Sequence, residues 1–358
     1  MISTLTDTQR EVADLAADVF SRHNGPDHIA AAEESADGFD RDTWDDLAAS
    51  GLLGTPIPEE HGGLGFGMVE VALVCEQLGA AVTPIPLVAT LCAAMLLAEH
   101  GTSEQRARWL PGLANGSVVA ALTPPQSVLE ATFAEGRITG NLLGVAWAHL
   151  ADLLVVPVGD AVVLLDPSAS GVTSEQGCTT AREVALDLTL TDVAAEQIGG
   201  ADTASWLRAR WFTALAATAA GVTNGALKLT ASYTSTREQF EKPLSTFQSV
   251  ALKAADAYLD TTAIRAAARQ AAWRIDSGDN AALDVLTAAW WAAEAGQHAV
   301  HLTQHLHGGM GADVTYPVHR YFLWGKQIEL LLGGASALLA DLGDTLEHHP
   351  EAGDAVVL

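Results

Sequence analysis

Basic residues are scarce in this chain: 18 Lys and Arg face 44 Asp and Glu across 358 residues, for a formal net charge of −26. Such a surface repels nucleic acid and anionic lipid, so neither is expected as a partner. Cysteine is scarcer still. Cys75, Cys92 and Cys178 lie far apart and fit neither a disulfide framework nor a metal-ligand spacing. That usage suits a reducing cytosol, and the expected location is cytoplasmic. The N-terminal MISTLTDTQREVADLAADVF lacks the basic and apolar regions of a signal peptide. Long hydrophobic runs are also missing. The longest, LLVVPVGDAVVLLD, is broken by Pro157, Gly159 and Asp160 and falls short of the roughly 20 residues of a membrane span. HExxH is absent too. His298, His301, His305 and His307 crowd one stretch, but with no carboxylate or further ligand beside them in sequence no metal is expected there.

Hydrophobic residues make up 49% of the chain against 17% charged, enough for a large core and too apolar for disorder. Much of the excess is alanine and leucine, which favour helix. The length predicts two or three domains. Residues 1–112 read as an N-terminal helical domain, with helices in TDTQREVADLAADVF, RDTWDDLAASGLLG and MVEVALVCEQLGA. Residues 113–200 carry short Val-, Leu- and Thr-rich runs bounded by turn residues, such as GRITGNLLGV and DAVVLLDPS, and read as a compact β domain, barrel or sheet. Residues 201–346 give about four long helices, hence a four-helix bundle. Residues 347–358 form a tail. The expected fold is therefore mainly α with a central β domain.

Three stretches invite a chemical reading. HGGLGFG (61–67) matches a glycine-rich fingerprint only weakly, because it follows no strand; a tight inter-helix loop is the simpler reading. HLHGGMG (305–311) ends a helix with paired glycines, which either cap it or let a ligand approach the backbone. STREQFEKPLSTFQSV (235–250) gathers a cation, two amides and two aromatic rings around Pro243, a set suited to a large, flat, anionic ligand.

Taken together, WDDLAASGLLGTPIPEEHGGLG, REQFEKPLSTFQ and HLHGGMGADVTYPVHR, in that order, resemble the acyl-CoA dehydrogenase family over essentially the whole chain. The resemblance implies that family's fold, an FAD cofactor lying across a subunit interface, an acyl-CoA substrate and an electron-transfer flavoprotein as acceptor. It places Arg237 on the FAD pyrophosphate, with Gln239 and Gln248 as polar contacts, Phe240 and Phe247 on the adenosine, and Leu244 within the same loop. His307, Gly308, Gly309 and Gly311 resemble the glycine segment near the adenine. His305 stands where the family usually has Gln, with Gln304 adjacent.

The pattern also breaks. The family removes an acyl α proton with a glutamate. Aligning TYPVHR puts Leu332 at the usual base position, and counting back from Arg237 puts Trp211 at the alternative one. Neither side chain takes a proton. ALTPPQSVLEA has Pro124 where flavin-ring binders carry the glutamate of Thr-Glu-Pro, and the Gly-Ser-Asp and Trp-Ile-Thr elements are missing. This resembles the smaller subunit of actinobacterial α2β2 dehydrogenases acting on steroid side chains, in which a catalytic partner chain supplies the base and the isoalloxazine pocket. Two alternatives stay open: a self-sufficient homo-oligomeric flavoenzyme with Glu329 as a displaced base, or a helical assembly module that is not an enzyme.

Overall fold

A computed structural model describes residues 4–348. The tail expected from residue 347 lies, past His348, outside the described residues. Six helices come first: α1 (Asp7–His23), α2 (Pro26–Glu33), α3 (Arg41–Ala49), α4 (Met68–Ala81), α5 (Leu87–His100) and α6 (Ser103–Ala114). Their starts follow from side chains. Thr6 and Gln9 bond each other's backbone N–H at the head of α1, and Thr102 and Gln105 do the same at α6. Asp40 caps α3 by accepting from the Thr43 N–H. HGGLGFG is an internal packing loop, as its simpler reading expected: a Cβ on Gly63 would lie 2.0 Å from the Ile57 carbonyl oxygen.

Eight strands follow: β1 (Ala120–Leu122), β2 (Val128–Ala134), β3 (Arg137–Ala146), β4 (Leu153–Val158), β5 (Ala161–Leu165), β6 (Val172–Cys178), β7 (Val184–Ala194) and β8 (Glu196–Ile198). They form two four-stranded sheets, ordered β1-β4-β5-β8 and β2-β3-β7-β6. Every pairing is antiparallel except β1 with β4. Leu154, Val156 and Val163 of one sheet share a core with Ile138, Leu142 and Leu188 of the other. The sequence reading missed β2, β6 and β8. All three are largely exposed edge strands, so they lack the apolar signature it relied on.

The chain then returns to helix: α7 (Thr203–Thr236), a hairpin of β9 (Glu238–Gln239) and β10 (Lys242–Pro243), α8 (Gln248–Asp276), α9 (Ala282–Leu306), α10 (Val318–Leu331) and α11 (Ala335–His348). Four helices were expected here and five form. The last expected helix breaks at Gly333 and Gly334, whose φ of +87° and +85° no helix accommodates. The Gly334 N–H bonds the Glu329 carbonyl and the Gly333 N–H that of Leu330, closing α10.

Packing divides the chain into two compact units. One holds residues 14–71 and 83–211. The other holds the chain up to Ala13, Ala72–Val82 and the chain from Phe212 onward. In the second unit α9 packs against α8, α10 and α11, burying Ala288, Ala289, Ala292, Ala293, Ala295 and Ala299. The Ala72–Val82 segment of α4 touches α7 backbone to backbone: a Cβ on Gly79 would lie 2.0 Å from the Thr218 oxygen, and one on Gly221 1.9 Å from that of Glu76. Buried Glu76 accepts from Arg265 Nε at 2.7 Å and Arg269 Nη2 at 3.2 Å. Buried Thr218, Thr223, Thr230 and Thr234 satisfy their hydroxyls on carbonyls four residues back.

Candidate functional site

The stretch from Arg237 to Gln248 is shaped by a two-residue turn. The Arg237 N–H still donates to the Tyr233 carbonyl at 2.8 Å, as the last bond of α7. The chain then reverses, pairing Gln239 with Lys242 around Phe240 and Glu241. Both turn residues have positive φ, +52° and +64°. That is the type I′ geometry which Asn-Gly adopts without strain; for Phe and Glu it costs on the order of 1–3 kcal/mol per residue. The turn lifts Phe240 into solvent, 87% exposed. Its ring meets Phe247 edge-on at 6.2 Å, and Lys242 Nζ lies 4.4 Å from the centre of the Phe247 ring.

Arg237, Gln239, Leu244, His305, His307, Gly308 and Gly309 converge on one cavity of about 410 Å³. Tyr233, Ser249, Val250, Lys253 and Leu306 complete its wall. The sequence reading missed these five. Two of them had a signal: Tyr233 sits one helical turn before Arg237, and Lys253 is one of few cations in an acidic chain. Phe240, Phe247, Gln248 and Gly311 are not in the wall. Gln248 is exposed at the start of α8. Gly311 is buried, its carbonyl accepting from Gln304 Nε2 at 2.8 Å, and a Cβ there would lie 2.4 Å from the Gln304 oxygen. Gln304 thus braces the glycine turn.

The cavity's electrostatics are local. Arg237 and Lys253 make no side-chain hydrogen bond or ion pair to the described residues, in a chain of net charge −26. His307 stacks on Tyr233 at 4.6 Å, and its Nδ1 bonds the Thr303 carbonyl at 2.8 Å. Its Nε2 is buried without a partner among the described residues. Burial holds its pKa below the ordinary histidine value, against the opposing pull of the Thr303 hydrogen bond. The ring is therefore neutral near pH 7, and Nε2 offers a lone pair. A Cβ on Gly309 would meet nothing within 4 Å, so no packing among the described residues accounts for a glycine there.

The remaining candidates lie elsewhere. Leu332 is 2% exposed, and Trp211 is 6% exposed with its indole nitrogen buried and without a partner among the described residues. Glu329 is ion-paired with Lys326 on the same face of α10. His298 Nδ1 bonds Asp260 at 2.7 Å and His301 packs edge-on against Phe322. Among the described residues, none of the four clustered histidines belongs to a metal-sized set of three ligand atoms.

Family patterns for acyl-CoA dehydrogenases match twice, the N-terminal domain over residues 6–117 and the C-terminal domain over 209–343. The acyl-CoA dehydrogenase FadE27 of Mycobacterium tuberculosis is 33% identical, over 97% of this chain and 99% of its own length. The chain belongs to the acyl-CoA dehydrogenase family. It is thereby placed among oxidoreductases, and two solved structures narrow the likeness. A chain of the Tcur3481-Tcur3483 steroid ACAD G363A variant is 40% identical with a TM-score of 0.92, covering 97% of this chain and 100% of that one. A chain of the ChsE4-ChsE5 complex from Mycobacterium tuberculosis is 34% identical with a TM-score of 0.90, covering 96% and 98%. The chain thus combines a cavity of about 410 Å³, lined by two cations unpaired among the described residues, with buried Leu and Trp at the two positions where the sequence analysis sought a base.

Proposed function

We propose that this chain is the non-catalytic subunit of a heteromeric, FAD-dependent acyl-CoA dehydrogenase that desaturates a steroid side-chain CoA thioester. The observation that supports the reading is a contrast: Leu332 and Trp211, where the resemblance puts the base, are buried side chains that take no proton, while seven residues expected to hold the nucleotide line one cavity. The likeness to the steroid ACAD and to the ChsE4-ChsE5 complex supports the substrate class and the second chain. Exposed Leu252, Tyr258 and Leu259 on α8, and Phe240 beyond α7, are also what a partner-binding surface needs.

The residues present fit the nucleotide half of FAD. Arg237 and Lys253 supply positive charge for a pyrophosphate. His307 Nε2 is an unmet acceptor for an amine or hydroxyl, and Gly309 leaves room for a ligand against the backbone. The chemistry the flavin supplies when bound is acceptance of a hydride from the acyl β carbon. This chain's contribution is binding and orientation, because no base stands at either expected position. Glu329, the alternative base, is held by Lys326. The α-proton base, the isoalloxazine pocket and the acyl-CoA contacts then fall to the partner, in an α2β2 assembly with one flavin per heterodimer and an electron-transfer flavoprotein as acceptor. The division into 1–112, 113–200 and 201–346 belongs to the same proposal, since element type changes between α6 and β1 and between β8 and α7.

Expression with and without a family member that carries the glutamate tests this. The heteromer should be yellow and active, and this chain alone colourless. Stoichiometric FAD on this chain alone, with turnover of an acyl-CoA, would sink the proposal.

A further inference from the structure

A second cluster, remote in sequence from the cavity, lies where α1, α2 and α3 follow one another. We propose that His23, His28 and Asp42 bind one divalent transition-metal ion of the zinc type. One ring nitrogen from each histidine and a carboxylate oxygen of Asp42 lie within 4.8 Å of one another. Ligands about 2.1 Å from a tetrahedral ion stand about 3.4 Å from one another, so a shift of about 0.7 Å by each side chain closes the set. Asp42 is exposed in the first turn of α3, and its carboxylate makes no hydrogen bond or ion pair to the described residues.

What separates this cluster from two ordinary surface histidines is what stands behind them. His23 Nε2 bonds Asp46 at 3.1 Å and His28 Nε2 bonds Asp40 at 3.0 Å. Asp40 is buried and itself fixed by the Thr43 N–H at 3.1 Å and the Thr43 hydroxyl at 2.7 Å. A carboxylate holding one ring nitrogen orients a metal-ligating histidine and raises its basicity. Both rings have that support, and Nδ1 is the nitrogen each carboxylate leaves for an ion. The rings sit 5.1 Å apart and tilted by 37°, close without stacking face to face.

Nearby cations do not fill the place of an ion. Arg22 is drawn to Asp18 and Asp46, and Arg41 to Asp37. His23 lies in the last turn of α1, where the helix dipole favours positive charge. His28 and Asp42 also border a solvent-open cavity of about 370 Å³, which gives an ion a path in. Two imidazoles with one carboxylate select Zn²⁺ and its transition-metal neighbours over Mg²⁺ or Ca²⁺, which prefer all-oxygen sets. The fourth position is left to water.

The test uses the full chain without an affinity tag, stripped with a chelator and titrated with Co²⁺ and then Zn²⁺. One equivalent of Co²⁺ should raise a visible d–d band that Zn²⁺ abolishes. His28→Gln and Asp42→Asn should each weaken Co²⁺ binding by about tenfold or more. Asp42 is exposed and unbonded, so Asp42→Asn should leave the metal-free melting temperature unchanged and keeps the result interpretable. No saturable band in the natural chain, or unchanged affinity in either variant, overturns the proposal.

Discussion

Arg237 is the side chain on which flavin retention by the heteromer should turn. It lines the cavity, is exposed and has no partner within the described residues, so its removal should cost ligand and not fold. A hydrogen bond to a charged group is worth about 1.5–3 kcal/mol, so Arg237→Ala should weaken FAD binding roughly tenfold to a hundredfold with an unchanged far-UV spectrum. Fluorescence of released flavin measures this. His307 offers a pH test. Its folded pKa is depressed by burial. The unfolded chain takes that proton near pH 6.5, so below this value the unfolded state binds more protons than the folded one. The stability from the neutral ring is thus whole above about pH 6.5 and is lost as pH falls toward the depressed value. The gap in unfolding free energy between the natural chain and His307→Asn should shrink from about pH 7.5 to about pH 5.5, as read by urea titration. A gap independent of pH would contradict the assignment.

Two local structures carry predictions of their own. The β9–β10 turn places Phe240 and Glu241 at positive φ, which glycine adopts freely. Glu241→Gly should therefore stabilise the free chain by up to about 1 kcal/mol, seen as a higher melting temperature. Such strain persists where a conformation is needed, here to present Phe240 to a neighbour. The α4–α7 contact is the opposite case, because no Cβ fits. Gly221→Ala would put a methyl 1.9 Å from the Glu76 oxygen and force the helices apart. A loss of about 1–3 kcal/mol is expected in denaturant unfolding. Near-normal stability would mean that the helices separate at little cost.

Assembly is the property of the molecule on which the proposed function rests. Leu259 is 64% exposed on α8, so a change there should spare the chain's own core. Leu259→Glu should keep the far-UV spectrum yet lower recovery of the heteromer in size-exclusion chromatography. Full recovery would place the interface elsewhere. Much of the assembly reading was legible early, because Leu332, Trp211 and Pro124 are identities visible without coordinates. Ser249 and Val250 of the cavity wall were not, since only the course of α8 carries them to the same cavity as His305 and Gly309. The exposed edge strands β2 and β6 escaped for a related reason: with little apolar burial, their hydrogen bonding to β3 and β7 leaves no periodic trace.

Residue chemistry alone settled the α–β–α order, the family and the presence of Leu and Trp, which take no proton, at positions 332 and 211. Those depend on propensity, local spacing and side-chain type, all of which a linear string preserves. Three-dimensional packing was needed to show that Gly311 serves Gln304 while Gly309 faces open space, that α10 and α11 part at paired glycines, and that His23 and His28 each rest on a carboxylate. These depend on distances between groups far apart along the chain, and on φ angles that glycine permits but does not by itself dictate.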